Sequence, residues 1–233
     1  MKTILFTLAF LFVGFAQAGT PIETIVPIDE VYSPAGFDSN DSSEVVVSGW
    51  LPNLCHKSPK TSFTIKNNKI DIKVTALKYN ATNPFCPELI VPFVKSINVG
   101  ILDKGRYQIS VNGSTIYAKN SEIQINESSS SAVDDFIYAN VHYVQQKSGT
   151  NMVNLNGYNP SDCLVLDKVK FIDNGVNAFS VLPIMKKVSD FCPMKLVPFS
   201  HSVEVPDTLK HKKILLHVRS MDGNSVNSLL MKI

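Results

Sequence analysis

The chain lacks sustained helical periodicity, runs of like charge and the short strings that mark common catalytic sites, and each shortage removes a class of protein. Its 22 lysines and arginines are scattered among 20 aspartates and glutamates, for a net charge of +2. No basic stripe is therefore present to release counterions from a phosphate backbone, which argues against a nucleic-acid partner. The 11 glycines form neither a Walker loop nor a dinucleotide fingerprint and are expected to serve turns. The nearest approach to a hydrolase elbow, Gly223-Asn224-Ser225-Val226-Asn227, lacks the second glycine. The histidines (His56, His142, His201, His211 and His217) include no HExxH pair, and the four cysteines include no Cys-x-x-Cys, which argues against zinc. Beyond residue 13 there is no apolar run approaching the roughly 20 residues of a membrane span, so no transmembrane segment is expected.

The first eighteen residues are of a different kind. Lys2, the apolar run 4–13 and the small-x-small ending Ala16-Gln17-Ala18 have the form of a cleavable secretory signal peptide, 1–18. The mature chain then starts near Gly19, almost neutral, in a secreted or periplasmic setting. An even number of cysteines in an oxidising compartment favours disulfides, and four allow three pairings.

An internal repeat selects among them. Cys86 to Phe93 reads CPELIVPF and Cys192 to Phe199 reads CPMKLVPF, with cysteine, both prolines, valine and phenylalanine shared. Upstream, Gly49-Trp50-Leu51-Pro52-Asn53-Leu54-Cys55 and Gly157-Tyr158-Asn159-Pro160-Ser161-Asp162-Cys163 share Gly, aromatic, x, Pro, x, x, Cys. Equivalent positions should meet equivalent partners, so Cys55 is expected to pair with Cys86 and Cys163 with Cys192. Each such loop of roughly 30 residues would stabilise its domain by about 3 to 4 kcal/mol. The predicted organisation is domain 1 over 19–122, a serine-rich linker over 123–132 that cannot order itself by apolar burial, and domain 2 over 133–233.

Both units read as β. Residues 44–48, 62–65, 69–74 and 106–111 are strand-length runs with β-branched or aromatic content and period-two patterning, clearest in 106–111, and 136–145, 165–171, 213–218 and 227–232 play the strand roles in the second unit. Asn67-Asn68, Asn112-Gly113 and Asp222-Gly223 supply turns. The two prolines of the Cys-Pro...Val-Pro-Phe segment suit a connection or an edge strand. In this pattern the chain resembles secreted tandem immunoglobulin-like sandwich proteins of the bacterial envelope. The resemblance implies two tandem immunoglobulin-like antiparallel β-sandwich domains, each with one internal disulfide. It departs from a true immunoglobulin domain in placing Trp50 before Cys55, with Tyr158 at the corresponding place, where that family has its tryptophan between the cysteines.

Candidate sites are few. Asp38, Asn40, Asp41 and Glu44 could direct oxygens at Ca²⁺, although a solvated loop with local turns accounts for them as well. Trp50 and Tyr158, and Phe93 with Phe199, are either exposed aromatic platforms or repeated core. Alternation places His217 on a solvent-facing side of its strand. Sequons stand at Asn40, Asn80, Asn112 and Asn126. With no catalytic constellation, the reading is a secreted or periplasmic, non-enzymatic binding or adhesion-like module for a protein or glycan. An enzyme inhibitor or unrecognised enzyme acting from loop 78–85 or 186–191, or a structural envelope protein, are the alternatives.

Overall fold

A computed structural model describes residues 20–79, 85–147, 149–205 and 213–231. The expected leader, the Asn80 sequon, His211 and most of loop 78–85 lie outside them. The chain is all-β, with sixteen strands among the described residues. In the first half β1 (Ile22–Ile25), β6 (Lys69–Lys78), β8 (Gly105–Val111), β9 (Lys119–Asn126) and β3 (Phe37–Asp38) form one sheet in that order, with β5 (His56–Lys66) added beside β6. The facing sheet is β2 (Ile28–Tyr32), β4 (Ser42–Leu51) and β7 (Val91–Ile101). Alternation explains the layering: Val45 and Val47 of β4, Ile70, Ile72 and Val74 of β6 and Tyr107, Ile109 and Val111 of β8 all enter one core. Burying a Val or Ile side chain is worth about 1.5 to 3 kcal/mol, so the two sheets hold each other. Asn67 and Asn68, at φ +49° and +56°, close the β5–β6 hairpin as the two-residue turn requires.

The second half follows the same strand plan. Its sheets are β12 (Leu164–Asp173), β13 (Ala178–Lys187), β15 (Lys213–Arg219) and β16 (Ser225–Met231), and β10 (Val141–Gln146), β11 (Met152–Asn159) and β14 (Val197–Glu204), around a core that includes Val153, Leu155, Val181 and Leu216. The order β12-β13-β15-β16 matches β5-β6-β8-β9, and β10-β11-β14 matches β2-β4-β7. The expected wholly antiparallel sheets are corrected to mixed ones. β6 and β8, β13 and β15, and β3 and β9 run parallel. After β6 or β13 the chain crosses to the other sheet for β7 or β14 and returns alongside, which restores the original direction.

The shared sequence signatures are one strand pair in each half. Gly49 faces Phe93 and Trp50 faces Pro92, while Gly157 faces Phe199 and Tyr158 faces Pro198. A Cβ on Gly49 would stand 2.3 Å from Pro27 O and 2.8 Å from the Phe93 ring, and one on Gly157 would stand 2.0 Å from Asn140 O and 3.0 Å from the Phe199 ring. The glycine thus admits a close backbone approach and the phenylalanine covers it, packed on the core. As the prolines foretold, β7 and β14 lie at sheet edges.

Cys55 and Cys86 form a disulfide with Cα atoms 5.7 Å apart. Cys163 and Cys192 stand as thiols, which departs from the expected second bridge. Each donates its one proton to a backbone carbonyl, Cys163 Sγ to Phe191 O (3.2 Å) and Cys192 Sγ to Ser189 O (3.3 Å). The setting matches that of the closed pair: Tyr79 N donates to Cys55 O and Val188 N to Cys163 O, both at 2.9 Å.

The expected end of the first half at 122 falls inside a strand. β9 continues to Asn126 and buries Ile123 and Ile125, so the first half extends past 122. The serine stretch is held by hydrogen bonds in place of apolar burial: Ser128 bonds Ser39, and Ser129 and Ser130 donate to Asp135. Among the described residues no helix is long and apolar enough to cross a membrane.

Candidate functional site

The two halves meet where the outer face of the β2-β4-β7 sheet lies against the outer face of β13, β15 and β16. Val46 points away from the first core and, with Tyr32, packs on Ala178, Leu215 and Leu229. Around this small apolar patch the seam is polar. Asn177 Nδ2 donates to Glu30 Oε1 (2.9 Å) and Val31 O (3.0 Å), and Asn174 Nδ2 donates to Ser33 O (3.0 Å). Asn227 Nδ2 donates to Glu44 Oε1 (2.9 Å) and Ser96 Oγ (3.0 Å), while Ser225 Oγ donates to Glu44 Oε2.

Arg219, at the end of β15, is the strongest link. Its guanidinium donates in bidentate fashion to Asp41 at 2.7 and 2.9 Å, also bonds Asp134, and lies between the rings of Phe37 and Tyr138 at 5.1 and 5.3 Å. Burial works against its charge, but the Asp41 and Asp134 carboxylates outweigh that and raise its pKa above the ordinary value. Burial drives Asp134 the other way for a carboxyl, up to about 6, partly countered by Arg219.

His217, two residues before Arg219 on the same face of β15, is wholly buried, which corrects its expected exposure. The alternation was sound, but the face it assigned to solvent is covered by the first half. Asn227 Oδ1 can only accept, so His217 Nδ1 donates to it (2.9 Å) and Nε2 is left without a partner. Burial lowers the His217 pKa, and Glu44, 3.5 Å away, opposes this.

Of the four residues considered for calcium, three have their side chains engaged by other protein groups. Asp41 is spent on Arg219 and on the Asp38 backbone N–H, Asn40 donates to Ser130 O, Ala132 O and Asp135, and Glu44 serves Ser225 and Asn227. Among the described residues no three His, Cys, Asp or Glu side chains are gathered as a metal requires. Sequence reading missed the true connection because Arg219 lies 178 residues from Asp41. Trp50 is half-buried and Tyr158 is 46% exposed, with the His142 ring 5.8 Å away. His56 bonds Asn53 at 2.8 Å, far in sequence from His142 and not joined to it. Asn112 is buried, bonding Val74 N and Val26 O, so its sequon is structural, whereas Asn126 is exposed.

A concavity of about 930 Å³ also follows the seam. Its floor is the outer face of β8 and β9, where Arg106 stands opposite Gln124, Gln108 opposite Glu122 and Ser110 opposite Asn120. These side chains point outward because Tyr107, Ile109 and Ile123 point in. One wall is the link 33–35 and the other is the second half's turn 173–176, which Asn174 fixes: its Oδ1 accepts three backbone N–H groups while its Nδ2 reaches Ser33 O. The groove offers amides, hydroxyls and both signs of charge, with Val176 as an exposed apolar contact. Sequence reading gave it no local signal, since its floor and wall come from different halves.

The ORF11 beta-sandwich domain family matches residues 45–123, from β4 into β9, in accord with the sandwich seen there. No curated protein and no solved structure matches the chain.

Proposed function

We propose that the chain is an exported, non-enzymatic binding module of two duplicated, immunoglobulin-like halves, and that its seam groove takes a glycan. Export is supported by the leader pattern of residues 1–18 and by the Cys55–Cys86 disulfide, which is at home in an oxidising compartment. Duplication is supported by the shared sequence signatures and the matching strand orders.

The observation that carries the glycan reading is the groove floor. Sugar hydroxyls both donate and accept, and three facing pairs from Arg106, Gln108, Ser110, Asn120, Glu122 and Gln124 present both capacities in a fixed register. Ligands of this kind are held by a pre-formed concavity with a few placed polar groups, and the docked turn 173–176 provides its wall. A glycan array probed with the purified protein tests the reading. Binding of a defined glycan is expected, weakened about tenfold or more by the exposed pair Gln108→Ala and Asn120→Ala with an unchanged melting temperature. Binding to no glycan, or undiminished binding by the variant, would overturn it.

A further inference from the structure

The loop between β13 and β14 presents apolar side chains that the fold does not use. Val188 is 56% exposed, Phe191 81%, Met194 95% and Leu196 74%. Four large apolar groups so exposed within nine residues are more than a solvated surface ordinarily carries, and such patches mark contact sites. The loop is braced: Val188 N donates to Cys163 O and Lys195 N to Pro160 O, both at 2.9 Å, and Ser189 Oγ donates to Phe191 O at 3.0 Å. Its shape is therefore set before any partner arrives, and little ordering entropy is lost on contact.

The segment itself carries more basic than acidic side chains. Lys186, Lys187 and Lys195 belong to the same segment, against Asp190 alone within it. Lys186 and Lys195 reach Asp167 and Asp162 at 3.3 and 3.7 Å while remaining 57% and 66% exposed, and ion pairs so exposed are weak and exchangeable. Exposed Val188, Phe191, Met194 and Leu196 beside Lys186, Lys187 and Lys195 match a surface with an anionic outer layer over an apolar interior.

We propose that this loop seats on an anionic lipid surface. Phe191, Met194 and Leu196 enter the boundary between headgroups and acyl chains, and Lys186, Lys187 and Lys195 meet the lipid phosphates and carboxylates. This contact is separate from the groove and does not depend on the glycan reading.

The test is co-sedimentation of the protein, purified after export by an expression host, with vesicles of phosphatidylcholine alone or with about one third phosphatidylserine. Sedimentation with the anionic vesicles is expected, falling when salt is raised from about 0.1 to about 0.5 M. Partitioning should drop about tenfold in the double variant Phe191→Ser, Met194→Ser. Lys187→Glu, an exposed single change, provides a second measure and should weaken binding to anionic vesicles alone. No sedimentation with anionic vesicles, or equal sedimentation of native protein and both variants, would overturn the proposal. Binding to a soluble protein without binding to vesicles would overturn it as well.

Discussion

Replacing Arg219 with methionine removes the cation that Asp41 and Asp134 share across the seam, while keeping most of the apolar bulk between Phe37 and Tyr138. Side-chain exposures of 3% for Arg219, 3% for Asp41 and 9% for Asp134 leave little water to take the place of the guanidinium. Removing one partner of a buried pair costs about 3 to 5 kcal/mol, because the charge left behind is neither solvated nor paired. Loss of the two ring contacts adds to this. Relief comes from Asp134, whose pKa is already pushed up to about 6 and which can take a proton. The net expectation is about 3 kcal/mol at neutral pH, a fall in melting temperature of roughly 10 °C. Urea unfolding followed by Trp50 fluorescence measures it. The cost should be shared with Asp41→Asn, so that the double variant loses less than the sum of the singles. A loss below about 1 kcal/mol, or strict additivity, would refute the reasoning.

Four further outcomes follow from the geometry. Because Asp134 holds its proton to a higher pH when folded than its ordinary 3.8 allows, its contribution to stability grows as pH falls from about 6 toward about 4, and Asp134→Asn should flatten that rise in a melting-temperature profile. Asp135 acts oppositely: the Ser129 hydroxyl and backbone N–H lower its pKa, so what it contributes is present above its unfolded value and lost on stronger acidification. Gly49→Ala and Gly157→Ala should each cost about 3 kcal/mol in urea unfolding, since the new methyl group meets a backbone carbonyl that cannot swing aside. Non-reducing peptide mapping of exported protein should find Cys55 linked to Cys86 and, under oxidation, Cys163 to Cys192; a crosslink joining the halves would contradict the strand plan.

What the sequence made legible was local or periodic. Alternation in residues 106–111 placed Tyr107, Ile109 and Val111 inward, as found, because a strand buried on one face must alternate. The prolines at 92 and 198 marked edges because a missing N–H is tolerated there. Alternation names two faces, however, and does not say what covers the second. His217 was assigned to water on a sound pattern and is sealed by the other half, and Tyr32 and Val46 are buried by the same contact. Asp41 and Glu44 looked like loop oxygens available to calcium because Arg219, Ser225 and Asn227 lie far along the chain. The serines at 128–130 have no apolar area to bury, yet Asp135 and Ser39 order them by hydrogen bonds that composition does not reveal. The groove was invisible for the same reason, since the turn 173–176 becomes its wall only when the halves dock.

Docking of the halves through a buried polar seam underlies both the groove and the burial of Arg219 and His217. Native-state hydrogen exchange resolved on β4 and β15 tests it most directly. The account predicts that amides of Ser42–Leu51 and Lys213–Arg219 share one opening free energy and that Asp41→Asn lowers both together. Loss of protection confined to Ser42–Leu51 in that variant, with Lys213–Arg219 unchanged, would contradict it.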